Sequence, residues 1–135
     1  MKEVAYPATD AALTDAIAFV EEQLEQIGCS MKEIMQITVC VEEMFVNVAH
    51  YAYEGGQGEV TVSIDEEEGV VSITLADEGK PFDPLQKEDP DITLSAEERE
   101  IGGLGIFMVK KSMNEVHYER KDGKNIFVMK KFIKK

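Results

Sequence analysis

Between Met31 and Tyr53 the chain reads MKEIMQITVCVEEMFVNVAHYAY, an apolar run that carries a carboxylate and an amide in its middle. At about 100° per residue, Ile34, Ile37, Val41, Met44, Phe45 and Val48 fall on one side, a stripe wide enough to face a main core. On the opposite side the same helix places Glu43 and Asn47 one turn apart, hence as neighbours, with Val39, Cys40 and Val46 beside them. A solvated helix face would also carry a Glu and an Asn. An apolar frame around a carboxylate is, however, the setting in which a general base is tuned.

The rest of the chain can be arranged around this helix. Val4 to Tyr6 reads as a short edge strand closed by Pro7, which cannot donate to a ladder. Thr9 or Asp10 can cap a helix in which Leu13, Ile17, Val20, Leu24 and Ile27 recur until Gly28 stops it. Ser30 and Glu33 form a capping box for the central helix, which is expected to run to about Tyr51. After the glycines at 55, 56 and 58, Val60, Val62 and Ile64 alternate with polar residues as a half-buried strand. An acid-rich turn, Asp65 to Gly69, leads into Val71, Ile73 and Leu75 and delivers Asp77 to the end of the returning strand. Leu104 to Met113 reads as a helix, and Val116 to Arg120 and Asn125 to Phe132 as strands joined at Asp122 and Gly123. Helices segregated to one face of a mostly antiparallel sheet make the expected class α+β.

At 135 residues the chain fits one domain. Its net charge of −13 is unevenly spread: −7 over residues 1–53, −12 over 54–100 and +6 over 101–135. Direct nucleic-acid binding is disfavoured by that balance, because neutralising phosphates needs a basic face that the overall field does not oppose. Cys29 and Cys40 have no metal-ligand or redox spacing and read as reduced, Cys40 as a small buried hydrophobe. With no apolar run of the roughly 18 residues a span needs, and no signal-peptide pattern in MKEVAYPATD, the expectation is a cytoplasmic protein without membrane attachment.

Two further stretches bear on chemistry. LADEGKPFDP (Leu75 to Pro84) ends a strand, and GGLGIFMVKKSM (Gly102 to Met113) opens a helix. Between them, residues 77–101 carry three prolines and few apolar side chains, and a loop of this length usually has a function, often as a lid. Asp77 offers acceptor oxygens to an exocyclic amine, and Gly79 lets backbone approach a base closely. Phe82 could wall such a pocket, and Arg99 could reach a terminal phosphate or simply be a solvated charge. Gly102, Gly103 and Gly105 precede helical N–H groups that favour an anion. No Walker-type phosphate loop occurs.

Taken in this order and spacing, Glu43 and Asn47, LADEGKPFDP and GGLGIFMVKKSM resemble the three boxes of the Bergerat ATP site shared by gyrase, histidine kinases and the anti-sigma-factor serine kinases. The likeness is to the short, stand-alone serine-kinase branch. It implies a two-layer Bergerat sandwich with a mixed, mostly antiparallel sheet and helices on one face. It further implies a single GHKL-type ATP-binding domain over 1–135 with an ATP lid at about 83–101, and ATP with Mg2+ as cofactors. Asn47 is then the metal ligand and Glu43 the catalytic carboxylate that orients or deprotonates the attacking hydroxyl. Asp77, Gly79, Phe82, Arg99, Gly102, Gly103, Leu104, Gly105 and Ile106 complete the ATP site.

One position departs from the family. The sporulation and stress-response kinases often carry a His one turn beyond the metal-binding Asn, whereas here Tyr51 holds that position and His50 lies one residue earlier. Three functions compete. One is a serine/threonine kinase that phosphorylates a STAS-domain anti-anti-sigma protein and controls a sigma factor by partner switching, implied to be a homodimer. The others are a non-catalytic ATP-binding switch and a histidine-kinase-like catalytic domain, the latter disfavoured because neither His50 nor His117 lies on a phosphoacceptor helix pair.

Overall fold

The computed structural model describes residues 1–53, 57–81 and 103–133. Thr9 caps a 3-10 turn, Asp10–Ala12, its hydroxyl accepting from the Ala12 N–H. Helix α1 (Leu13–Ile27) follows and ends at Gly28, whose φ of 98° lets its N–H turn back onto the carbonyls of Leu24 and Glu25. Both halves of the expected capping box open α2 (Met31–Asn47). The Glu33 N–H donates to Ser30 Oγ at 3.1 Å, and the Ser30 N–H to Glu33 Oε1 at 2.8 Å.

The central helix does not simply continue to Tyr51. At Val48 it widens into a π-helical turn, Val48–Ala52. Such a turn takes up an extra residue and commonly marks a functional site. His50 ties this turn to the start of the helical layer, its Nε2 lying 2.9 and 3.0 Å from the two carboxylate oxygens of Asp10.

Five strands form one sheet: β1 (Lys2–Pro7), β2 (Glu59–Glu67), β3 (Val70–Asp77), β4 (Glu115–Lys121) and β5 (Lys124–Phe132), in the order β1-β2-β3-β5-β4. All four pairings are antiparallel, so the expected mixed sheet has no parallel pair among the described residues. The reason is topological. From β3 the chain reaches β4 by way of helix α3 (Gly103–Ser112), and β4 runs parallel to β3 but one strand away from it. The β5 strand then returns into the gap. Strand β2 also runs three residues further into the acidic stretch than the sequence suggests, leaving only Glu68 and Gly69 to turn. Those two residues have φ of 51° and 81°, and Asp122 and Gly123 repeat the pattern at 53° and 78°. Paired left-handed residues match the twist of the strands they join.

The core lies between sheet and helices. Val62, Ile73 and Met129 point inward from the strands and meet Val20 and Leu24 of α1, Ile37, Val41 and Phe45 of α2, and Val109 of α3, all essentially without solvent exposure. The opposite sheet face carries polar and charged side chains such as Thr61, Thr74, His117 and Glu119. Helices on one face only is the α+β sandwich anticipated from the sequence. Cys40 is buried and free, and burial pushes its thiol up to about 11, against the smaller lowering from a Ser112 hydrogen bond and Lys131. Among the described residues no helix is long and apolar enough to cross a membrane.

Candidate nucleotide site

At the end of β3 the inward phase of the strand places Asp77 where the alternation would put an apolar residue, and it is only 5% exposed. A carboxylate this buried needs donors. The Gly79 N–H donates to Asp77 Oδ1 at 2.9 Å, and Asn125 Nδ2 donates to the same oxygen at 2.9 Å. Asn125 is reached through register, for it stands directly across from Asp77 in the β3–β5 pair. Among the described residues no donor reaches Oδ2 of Asp77.

Asp77 borders a slot between the helical layer and the sheet. Met44, Val48, Leu75 and Phe127 supply apolar walls, while Asn47, Asp77 and Asn125 supply the polar groups. Asn47 lines the slot together with Met44 and Val48, so it does not stand on the opposite side of the helix from their apolar stripe. Glu43 lies one turn before it, half-buried but outside the slot's lining. The frame around this pair is less closed than expected, since Cys40 is buried but Val39 is 43% exposed. Glu42, about 100° further round the helix, faces solvent.

The turn after β3 is held from two sides. Lys80 N–H donates to the carbonyl of Ala52 in the π-helical turn at 2.8 Å. From the sheet side Arg120 Nη1 donates to the Gly79 carbonyl at 2.8 Å and Asn125 Nδ2 to the Lys80 carbonyl at 2.7 Å. Gly79 is needed here for a reason the sequence did not reveal. A Cβ at this residue would stand 2.3 Å from the Ala52 oxygen, so the close backbone approach it permits is to the π-helical turn. Tyr53 braces the neighbouring segment, donating to the Glu59 carbonyl at 2.6 Å and accepting from the Glu78 N–H at 2.9 Å. Burial holds its phenol above the usual range.

Gly103, Leu104, Gly105 and Ile106 form the first turn of α3. The Ile106 side chain is buried in the core, which leaves only its backbone for any ligand. Phe82, Arg99, Gly102 and the lid stretch 83–101 lie outside the described residues. His50 is engaged with Asp10, and Tyr51 is 39% exposed. Asn125, Tyr118 and Arg120 were missed by the sequence reading. Asn125 and Tyr118 do occupy the inward phase of their strands, a signal that a polar residue there must meet a partner, but only the register identifies it.

A two-layer α+β sandwich whose central strand ends in a half-partnered aspartate, offered to an apolar slot under an amide-bearing helix, defines an ATP-binding domain of the ATPase–kinase class. The chain belongs to the histidine kinase-like ATPase domain family, which it matches over residues 6–131. It is 27% identical over 124 residues to the serine/threonine-protein kinase BtrW of Bordetella bronchiseptica, covering 91% of this chain and 86% of that one. It is 28% identical over 109 residues to the anti-sigma F factor of Caldanaerobacter subterraneus subsp. tengcongensis, covering 80% and 76%. Among solved structures, the RsbU and RsbW domains of a Mycobacterium tuberculosis protein superpose with a TM-score of 0.65 at 16% identity. That comparison covers 98% of this chain and 33% of the other, and it speaks for the fold alone.

Proposed function

We infer that this chain is an ATP-dependent serine/threonine protein kinase of the anti-sigma-factor type. It transfers the γ-phosphate of ATP to a serine or threonine of a STAS-type anti-anti-sigma protein and regulates a sigma factor by partner switching. Relatives named as a serine/threonine-protein kinase and as an anti-sigma factor support both the activity and its regulatory use. Residues 1–135 act as one cytoplasmic domain that pairs with a second copy, and 83–101 serve as the lid over the nucleotide.

The observation that carries the reading is the Oδ2 oxygen of Asp77. It is a buried acceptor at the mouth of an apolar slot, with no donor among the described residues, and the exocyclic amine of adenine satisfies it. Guanine presents a carbonyl at that edge and would leave two acceptors facing each other. Met44 and Leu75 are suited to the faces of the ring, with Gly79 and Phe82 closing the base end. Beyond the base, the amide oxygen of Asn47 fits Mg2+, which takes oxygen ligands and is commonly held by one or two protein groups plus phosphates. When bound, the ion neutralises charge on the phosphates. Backbone N–H groups from Gly102 to Ile106 receive the phosphates at the start of α3, and Arg99 reaches the terminal one.

Glu43 then lies next to where an acceptor hydroxyl must enter. As the hydroxyl oxygen bonds to the γ-phosphorus and the bond to the β-phosphate oxygen breaks, the carboxylate takes the hydroxyl proton and ADP leaves. A protein acceptor is supported by the outer face of α2. Met31, Met35 and Val39, exposed by 72%, 63% and 43%, form a ridge at four-residue spacing that leads directly to Glu43. A ridge of flexible apolar side chains beside the base suits a protein surface.

Thermal melting with nucleotide tests the reading, because a ligand that binds only the native state raises Tm by mass action. Mg-ATP should raise Tm and GTP should do far less, and Asp77→Asn should lose most ATP binding while remaining folded. Equal shifts with both nucleotides would remove the adenine assignment. A wild-type protein that binds ATP yet phosphorylates no partner captured with it would leave a nucleotide-dependent switch instead of a kinase.

A further inference from the structure

Asn125 is 5% exposed, and its amide has no freedom in how it faces. Its Nδ2 meets Asp77 Oδ1 at 2.9 Å and the Lys80 carbonyl at 2.7 Å. Both of those partners are acceptors only, so the nitrogen must point toward them, and the amide oxygen must point away. On that other side the Tyr118 phenol donates to Asn125 Oδ1 at 2.6 Å. The amide is therefore keyed at its nitrogen by two acceptors and met at its oxygen by the phenol. Turned over, it would set its oxygen against a carboxylate and a carbonyl, and it would lose the phenol's donated proton.

The consequence falls on Asp77. Its Oδ1 takes two donors, the Gly79 N–H and the Asn125 amide, which occupies both lone pairs of that oxygen. The plane of the carboxylate is thereby fixed, and Oδ2 is the acceptor left for the slot. We propose that Asn125, with its amide oxygen met by Tyr118, is a positioning residue that sets purine selectivity by holding Asp77 so that Oδ2 alone faces the base. The proposal rests on the ATP reading given above. Asn125 donates to the aspartate, and the aspartate accepts from the base. Without Asn125, Oδ1 keeps one donor and gains room for water, so the carboxylate can tilt and the contact between Oδ2 and an amine loses its fixed geometry. Tyr118 acts one step further out, since its removal takes a donor from the amide oxygen but leaves both acceptors of the nitrogen in place.

The test is a cycle between protein and ligand. Affinities of ATP and of purine riboside triphosphate, which lacks only the 6-amino group, are measured for wild type, Asn125→Ala and Tyr118→Phe, with GTP alongside. In the wild type the amino group should improve affinity about tenfold or more, the scale of a hydrogen bond to a buried charge. In Asn125→Ala that ratio should fall close to one and discrimination against GTP should shrink, while affinity for the amine-free analogue changes little. Tyr118→Phe should show the same loss in smaller measure, and it serves as the readout if Asn125→Ala does not fold. Merely structural damage would weaken both ligands alike, so an unchanged ATP-to-analogue ratio in folded variants overturns the proposal. If the wild type binds neither triphosphate, the ATP reading fails first and takes the proposal with it.

Discussion

Gly79→Ala probes the contact between the turn after β3 and the π-helical turn of α2. The added Cβ would lie 2.3 Å from the Ala52 oxygen and 2.6 Å from its carbonyl carbon and Cβ. Carbon and oxygen need more than 3 Å, so the two backbones must part by about 1 Å, and the 2.8 Å bond from Lys80 N–H to the same oxygen goes with them. Overpacking of this kind costs about 1–3 kcal/mol and the lost hydrogen bond about 1 kcal/mol more. Reduced entropy of the unfolded chain offsets this by roughly 0.4–1 kcal/mol. A net loss of about 2–3 kcal/mol should lower Tm by roughly 6–15 °C in a domain of this size. Because the Gly79 N–H also holds Asp77, ATP affinity should fall as well. Gly28→Ala is the control. There φ is 98° with nothing within 4 Å, so alanine meets backbone strain of about 1–2 kcal/mol and no clash. Both variants should melt early in a thermal scan, but only Gly79→Ala should bind ATP more weakly in a titration at a temperature where both are folded. A Gly79→Ala protein with wild-type Tm and ATP affinity would refute the argument, since no shift of backbone could then be needed.

The pair on α2 should fail in two different ways. Glu43→Gln removes a charge but keeps size, so Mg-ATP affinity should persist while single-turnover phosphotransfer drops by roughly 10² to 10⁴. Asn47→Ala should weaken Mg-ATP binding itself, with the loss shrinking when magnesium is omitted, and a wild-type transfer rate in Glu43→Gln would exclude Glu43 as the base. Cys40 predicts a pH effect. Its thiol is held up to about 11 by burial, so the unfolded chain ionises first, and its contribution is intact below the ordinary thiol range and lost as pH rises to about 11. Cys40→Ala should flatten the fall in stability over that window in denaturant titrations, and a thiol reagent at pH 8 should modify Cys40 only after unfolding.

Much of this molecule is written in local pattern. Ser30 and Glu33 start α2 because a hydroxyl and a carboxylate at that spacing close on each other's backbone, and Gly28 ends α1 because a left-handed residue there is free of strain only in glycine. Residues at helical spacing predicted which face of α2 would be buried, and the spacing of Glu43 and Asn47 placed them as neighbours along the helix. These interactions span one turn or less, so residue order alone determines them.

Other features depend on which distant segments meet. Asn125 faces Asp77 because β5, and not β4, inserts beside β3, an outcome of the crossover and the hairpin that no local periodicity encodes. Gly79 is required by Ala52, and Ala52 is presented there because the central helix widens at Val48. The orientation of the Asn125 amide follows from Asp77 and the Lys80 carbonyl, with Tyr118 of another strand donating to its oxygen. A buried carboxylate must find its donors wherever packing brings them, so the residues that hold Asp77 could be identified only once the tertiary structure had assembled them.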